Sequence, residues 1–227
     1  MKVEKNTTNL NQRNGLFLPK QDSDHKTTSY FNLKSEFEIW QEFKNGSEVA
    51  LINIYKHFYR TLYNYASQFT LDRNLINDVI QDLFIELINK RERLSDTTSI
   101  KFYLFRSVKN LLVRKLKKNS KMNCIDNIQG CYDFAISFST ERLLINQQIK
   151  DEQKQKLNLA VKKLNSRQRE IIYYYYFENL NFKEISEIMD FTNHKSVQNL
   201  LYRSINKLKG ILFLSFTIFL VGTIKIG

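Results

Sequence analysis

The sequence predicts an all-α protein of two small helical domains joined by a flexible linker, the second domain carrying a helix-turn-helix. Three observations predict this. Apolar residues recur at three- and four-residue spacing over runs of helical length, and the regular alternation of a half-buried strand is missing. Six glycines and one proline in 227 residues argue for a nearly all-helical chain. Residues 119–150 lack steady periodicity and hold a turn signal at Gln129-Gly130, which reads as a connector. The predicted boundaries are a disordered tail at 1–33, a helical domain at 34–118, the linker at 119–150, a second helical domain at 151–210 and an apolar tail at 211–227.

The N-terminal stretch is polar and Asn-rich, with no charged-then-apolar leader. Ile39, Trp40 and Phe43 open the first apolar pattern, Asn45-Gly46 stops it, and Ser47 is placed to cap the next helix. Leu51, Ile54, Tyr55, Phe58, Leu62, Tyr65, Ala66 and Phe69 follow helical spacing and read as core. A cofactor box is disfavoured, because no glycine loop or acidic partner accompanies these aromatics.

Leu75, Val79, Leu83, Phe84, Leu87 and Ile88 make the seam of the following helix. Its other positions include Asp78, Gln81, Asp82 and Glu86, an acidic cluster in a basic chain. Two readings stay open: a surface for a basic partner, or acids set toward the N-terminal half of a helix dipole, with Lys90 and Arg91 at the far end. After the loop Leu94 to Ser99, Leu104, Phe105, Val108, Leu111, Leu112 and Leu116 point one way. Lys101, Tyr103, Arg106, Lys109, Asn110 and Arg114 occupy the rest, with Lys115, Lys117 and Lys118 beyond them. Cations beside aromatic rings suit unstacked bases, since stacking tolerates any base and cations hold the backbone. A basic amphipathic helix lying on a membrane is the competing reading.

In the second domain Asn181-Phe-Lys-Glu184 reads as a capping box, followed by the stripe Ile185, Ile188 and Met189. A polar break, Thr192 to Lys195, leads to Ser196 as the expected cap of a second helix with Val197, Leu200, Leu201, Ile205 and Leu208 on one face. Two short amphipathic helices joined in this way form a helix-turn-helix. The opposite face carries Gln198, Asn199, Tyr202, Arg203, Asn206 and Lys207 without a carboxylate. Amides bond base edges bidentately, and Arg and Lys bond guanine or phosphate. The alternative is the solvated face of an ordinary helical hairpin.

The charge balance agrees with a polyanionic partner: 35 Lys+Arg against 23 Asp+Glu, net +12, with a pI near 9.5. Cys124 and Cys131 with His25, His57 and His194 make no recognisable zinc set, so neither metal nor cofactor is expected, and the thiols read as free in a reducing cytosol. The apolar run Ile211 to Ile224 falls short of the roughly 20 residues of a spanning helix. Lys207 and Lys209 before it leave weak membrane contact open.

The motifs Asp78-Val-Ile-Gln-Asp-Leu-Phe84, Tyr103-Leu-Phe-Arg-Ser-Val-Lys-Asn110, Leu164-Asn-Ser-Arg-Gln-Arg-Glu170, Phe182-Lys-Glu-Ile-Ser186 and Ser196-Val-Gln-Asn-Leu200 resemble, in this order, a bacterial RNA polymerase sigma factor of the extracytoplasmic-function group. The resemblance spans most of Phe37 to Lys209. It implies a non-enzymatic promoter-specificity subunit working with core RNA polymerase in the cytoplasm. Asp78, Gln81, Asp82 and Glu86 would dock on the polymerase. Lys101, Tyr103, Arg106, Lys109, Asn110 and Arg114 would melt and read the minus-ten element, with Asn110 at the family's Asn. Lys195, Ser196, Gln198, Asn199, Tyr202, Arg203 and Asn206 would face the minus-thirty-five element of promoter DNA. An anti-sigma factor is a further implied partner. The turn Phe191 to Gln198 is longer or more polar than the family pattern, which leaves open which of Lys195, Ser196, Gln198 and Asn199 faces bases. A stand-alone helix-turn-helix regulator and a membrane-associated interaction protein are the rival readings.

Overall fold

The computed structural model describes residues 30–119, 132–136 and 151–224, and the side chains of residues 30–118, 132–136 and 155–213. The N-terminal segment 1–29, most of the expected linker with Cys124 and Cys131, and residues 225–227 lie outside these.

Every long element among the described residues is helical. The chain is already helical at residues 30–33, inside the expected tail, because Phe31 stacks on His57 at 3.9 Å and meets Phe58 edge-on. Helix α1, Glu36–Lys44, begins with a capping box between Ser35 and Glu38 and buries Ile39, Trp40 and Phe43. Asn45 and Gly46 end it, and Gly46 takes a φ of +92° that a side chain rarely adopts. Helix α2, Glu48–Ala66, is capped by Ser47, as its sequence predicts. Helix α3, Arg73–Lys90, is capped instead by Asp72, whose carboxylate accepts from the Asn74 and Leu75 amides.

The loop before helix α4, Ile100–Asn119, is tied down by α1. Trp40 Nε1 donates to the Ser95 carbonyl at 3.0 Å, Gln41 and Lys44 donate to Asp96, and the Ile100 amide donates to Glu36 at 2.5 Å. The Lys44 ammonium and then the Gln41 amide hold the Asp96 carboxyl below its usual range. Helices α1 to α4 thus form one bundle, with α2 and α4 both packed at its centre.

The second bundle comprises α5 (Asp151–Lys162), α6 (Ser166–Ile172), a π turn Tyr173–Phe177, α7 (Phe182–Ile188) and α8 (His194–Ile224). Capping boxes start α6 at Asn165 with Gln168 and α7 at Asn181 with Glu184, the latter as read from the sequence. Asp190 closes α7 in the left-handed region at φ +53°, and the Phe191 amide donates to the Ser186 carbonyl at 2.8 Å. Those two features make a Schellman stop, with Asp in the place glycine usually fills. Arg167 then lies over the Phe191 ring at 4.1 Å and donates to the Met189 carbonyl, fixing the turn.

Two sequence expectations need correction. Ser196 is not the cap of α8: Asn193 is, its side-chain oxygen accepting from the Ser196 amide at 2.8 Å and from the Ser196 hydroxyl at 3.0 Å. Asn wins because a shorter turn follows from the Asp190 stop, so the helix starts at His194. The helix also runs straight through Gly210, where an interior glycine costs only about 1 kcal/mol. No helix among the described residues is long and apolar enough to cross a membrane.

A single connected core joins the bundles. Five residues from within the expected linker, Tyr132 to Ile136, lie between them, with Phe134 fully buried against Phe69, Tyr173 and Tyr174. This clip is fastened at both ends of its backbone: the Ala135 amide donates to the Gln68 carbonyl at 2.7 Å, and Arg169 Nε donates to the Phe134 carbonyl at 2.6 Å. Sequence periodicity misses it because five extended residues contain no period to detect.

Candidate nucleic-acid and polymerase interfaces

Three surfaces carry the residues singled out by the sequence. On α3, Asp78 and Gln81 are exposed and Asp82 is half-buried, all on one face, since positions 78, 81, 82 and 85 are neighbours on a helix. Asp82 meets Lys115 at 2.6 Å, so part of its charge is answered within the chain. Ile85, 45 % exposed in the middle of this acidic face, is an apolar residue that periodicity overlooks: a side chain off the seam looks like noise until its exposure is known. Glu86 stands apart, turned toward Lys90 at 2.9 Å and Arg114 at 3.9 Å.

Helix α4 divides the expected minus-ten residues between two faces. Tyr103, Asn110 and Arg114 line an open cleft of about 190 Å³ against Glu86 and Lys90 of α3, floored by Leu83, Leu87 and Leu111. Tyr103 stacks obliquely on Trp40 at 4.9 Å, and burial raises its phenol pKa. The cleft is smaller than a drug-sized pocket but has an aromatic wall, an amide and a guanidinium at its rim. Lys101, Arg106 and Lys109 fall on the other face, against the second bundle. Lys101 Nζ meets Glu178 Oε2 at 2.8 Å and the Glu178 carbonyl at 2.7 Å. Arg106 meets Glu187 at 3.2 Å. Lys109 is buried, 2.6 Å from Glu170 Oε1 and 3.0 Å from the Ile188 carbonyl.

Glu170 is the hub of this inter-bundle contact. Only 1 % exposed, it accepts from Lys109, from the Tyr174 hydroxyl at 2.8 Å and from the Tyr132 hydroxyl at 2.9 Å. Tyr174 in turn shares a 2.5 Å contact with Tyr65 of α2. Burial, and next the Glu170 charge, push the Tyr65, Tyr132 and Tyr174 phenols far up, so all three stay protonated and able to donate. Every buried side-chain polar atom among the described residues has a partner.

On α8, Lys195, Gln198, Asn199, Tyr202, Arg203 and Asn206 are all exposed along one face, and Tyr202 is 69 % exposed. Ser196 is half-buried and engaged with Asn193, so it serves the helix start. Because that start lies three residues earlier than expected, exposed His194 joins the leading turn. Beneath this face Val197, Leu201 and Ser204 are buried.

Two stacked helical bundles, one ending in a helix-turn-helix with an open amide and cation face, define a DNA-binding transcription protein. Comparison with known families then gives the particular kind. Residues 54–122 match the family model for sigma-70 region 2 and residues 160–209 that for sigma-70 region 4. The chain is 26 % identical over 167 residues to the ECF RNA polymerase sigma factor SigM of Bacillus subtilis (strain 168), covering 72 % of this chain and 95 % of the relative. It belongs to the sigma-70 family, in the extracytoplasmic-function group, and is a sigma factor for transcription initiation. The solved structure of CnrH in complex with the cytosolic domain of CnrY has a similar fold, with a TM-score of 0.53 at 16 % identity, covering 80 % of this chain and 99 % of that one. The RsbN–BldN complex aligns over 76 % of this chain and 98 % of that one at 16 % identity, with a TM-score of 0.30.

Proposed function

We propose that the three surfaces divide the work of initiation. The acidic face of α3, Asp78, Gln81 and Asp82 around Ile85, docks on core RNA polymerase, with Glu86 at its edge. The α3–α4 cleft receives a base of the minus-ten element drawn out of the stack, with Tyr103 as the stacking wall and Asn110 and Arg114 at the rim. Lys101, Arg106 and Lys109 hold the backbone of the opened strand. The leading turns of α8 enter the major groove at the minus-thirty-five element, where Lys195, Gln198, Asn199, Tyr202, Arg203 and Asn206 face the bases and phosphates and Ser196 supports the turn.

The observation that carries this reading is the segregation of charge on exposed faces: acids around one apolar residue on α3, amides and cations without a carboxylate on α8. Binding then weakens as salt rises, because phosphate contacts release counterions, while base contacts supply the choice of promoter. The chain itself performs no bond chemistry, and works in the cytoplasm beside its polymerase. A protein partner that restrains it, an anti-sigma factor, is proposed from the family resemblance and from the capture of CnrH with the cytosolic domain of CnrY.

Adding the purified chain to sigma-free polymerase on a genomic library tests the reading. Discrete start sites are expected, with Asp78→Arg abolishing association with core enzyme and leaving duplex binding unchanged. Operator binding with no core association would make the chain a stand-alone regulator instead.

A further inference from the structure

Helix α8 does not stop where its DNA-facing part does. It runs on through Gly210 to Ile224, past the point where the sequence places the end of the second domain. By Gly210 the helix has left the bundle: Lys209 and Gly210 are exposed, a Cβ at Gly210 would meet open space, and Phe213 is 69 % exposed. Residues 211–224 carry no charge. Ser215 and Thr217 fall on opposite sides of the helix, and each has apolar residues four positions away, Ile211 and Phe219 for the first, Phe213 and Val221 for the second. The extension is therefore apolar around its whole circumference, whereas one partner helix would cover a single stripe of it. A medium apolar on every side is what it fits. Its rise of about 21 Å falls short of the roughly 30 Å of a hydrocarbon layer, so it enters such a layer without spanning it. The flanking sequence carries the charge that suits an anionic surface. Residues 191–227 hold no Asp or Glu, while Lys195, Arg203, Lys207, Lys209 and Lys225 are all cationic. Lys207 and Lys209, both exposed, lie just before Ile211, at the height where headgroups surround an inserted helix.

We propose that residues 211–224 of α8 seat in the apolar layer of an anionic membrane, with Lys207 and Lys209 on the headgroups, and that this seat and duplex DNA compete for the helix. Arg203 and Asn206 lie only about 12 and 8 Å along the axis from Ile211, close to the roughly 8 Å over which a surface charge acts in physiological salt. A seated chain holds its duplex-facing residues beside negative headgroups, which repel DNA phosphates, so attachment withholds it from promoters. The seat stands without any DNA reading. The competition rests on the reading of α8 as duplex-binding, and the test separates the two.

The test makes the full chain with purified translation components beside vesicles of phosphatidylglycerol and phosphatidylethanolamine, vesicles of phosphatidylcholine alone, or none, and floats the vesicles through a density gradient. The chain is expected to rise with the anionic vesicles. Phe213→Glu with Phe216→Glu should cut that at least tenfold, and Lys207→Gln with Lys209→Gln roughly tenfold. No flotation with either vesicle overturns the seat, as does equal flotation of the wild-type chain and the Glu variant. Equal flotation with anionic and neutral vesicles overturns the part given to the two lysines. A dimer in sedimentation that the Glu variant loses, without flotation, makes a second copy the occupant and overturns the lipid seat. Affinity for a fluorescent random-sequence duplex is then measured at low salt with and without the anionic vesicles. The vesicles should weaken it about tenfold for the wild-type chain and leave the Glu variant unchanged; equal affinity for the wild-type chain in both overturns the competition. Arg203→Ala that binds the duplex as well as wild type without vesicles removes the duplex reading of α8 and the competition with it, while flotation still decides the seat.

Discussion

Helices α4 and α8 look alike in sequence, each a basic face with aromatic and amide residues among the cations, and the fold treats them oppositely. On α8 the six outward residues remain exposed, with Arg203 and Lys195 free to meet a phosphate or a guanine edge. On α4 two of three cations on one side are withdrawn into contacts with Glu178 and Glu170, and Arg106 is tethered to Glu187. A cation's type says what it can bind. Its surroundings decide whether it is free to do so, because a buried charge without a partner is far costlier than a solvated one.

That contrast can be broken at its hub. Glu170→Ala leaves Lys109 buried without its carboxylate and takes an acceptor from Tyr132 and Tyr174, so a loss of roughly 3 to 5 kcal/mol in unfolding free energy is expected in denaturant titration. Lys195→Ala at the open surface, by comparison, shifts stability by no more than about 0.5 kcal/mol. Next in size is the effect on DNA: Gln198→Ala or Arg203→Ala should weaken duplex binding at the minus-thirty-five element roughly tenfold. Arg203→Ala should also spare core association, and equal affinity for every sequence before and after would remove α8 from base reading.

Tyr65→Phe deletes one buried hydroxyl contact while Tyr174 keeps Glu170, so about 1 kcal/mol is expected in thermal unfolding. pH gives a related test. Tyr65, Tyr132 and Tyr174 have pKa values raised by burial, and Tyr55 is pushed up to about 12 for the same reason. A phenol raised in the folded state contributes stability that is complete below its unfolded pKa near 10 and is lost as pH rises toward the folded value. The inter-bundle contact should therefore be flat from about pH 6 to 9 and give way above about pH 10, read as tyrosinate absorbance appearing together with loss of near-ultraviolet circular dichroism. Smallest is Asp190→Gly. Relief of the left-handed conformation should stabilise the helix-turn-helix by about 0.5 to 1 kcal/mol in thermal unfolding, without altering which face of α8 is open.

What the sequence determined by itself is whatever depends on neighbours along the chain. Helix spacing, the caps at Ser47 and Asn181, the stop at Asn45-Gly46 and the sorting of acids onto α3 all arise within a few residues of one another, and local rules suffice to read them. The family resemblance rests on motifs of the same reach. Tertiary structure decided the rest. It moved the start of α8 to His194 through a stop formed at Asp190, exposed Ile85 among acids and turned Glu86 away from them. It also divided one basic helix between an open cleft and a shielded contact. Glu170 lies 61 residues from Lys109 and 38 from Tyr132 along the chain, and no periodicity relates them. Only the packing of two bundles around Phe134 brings those groups together, and burial then gives their charges a weight that composition cannot express.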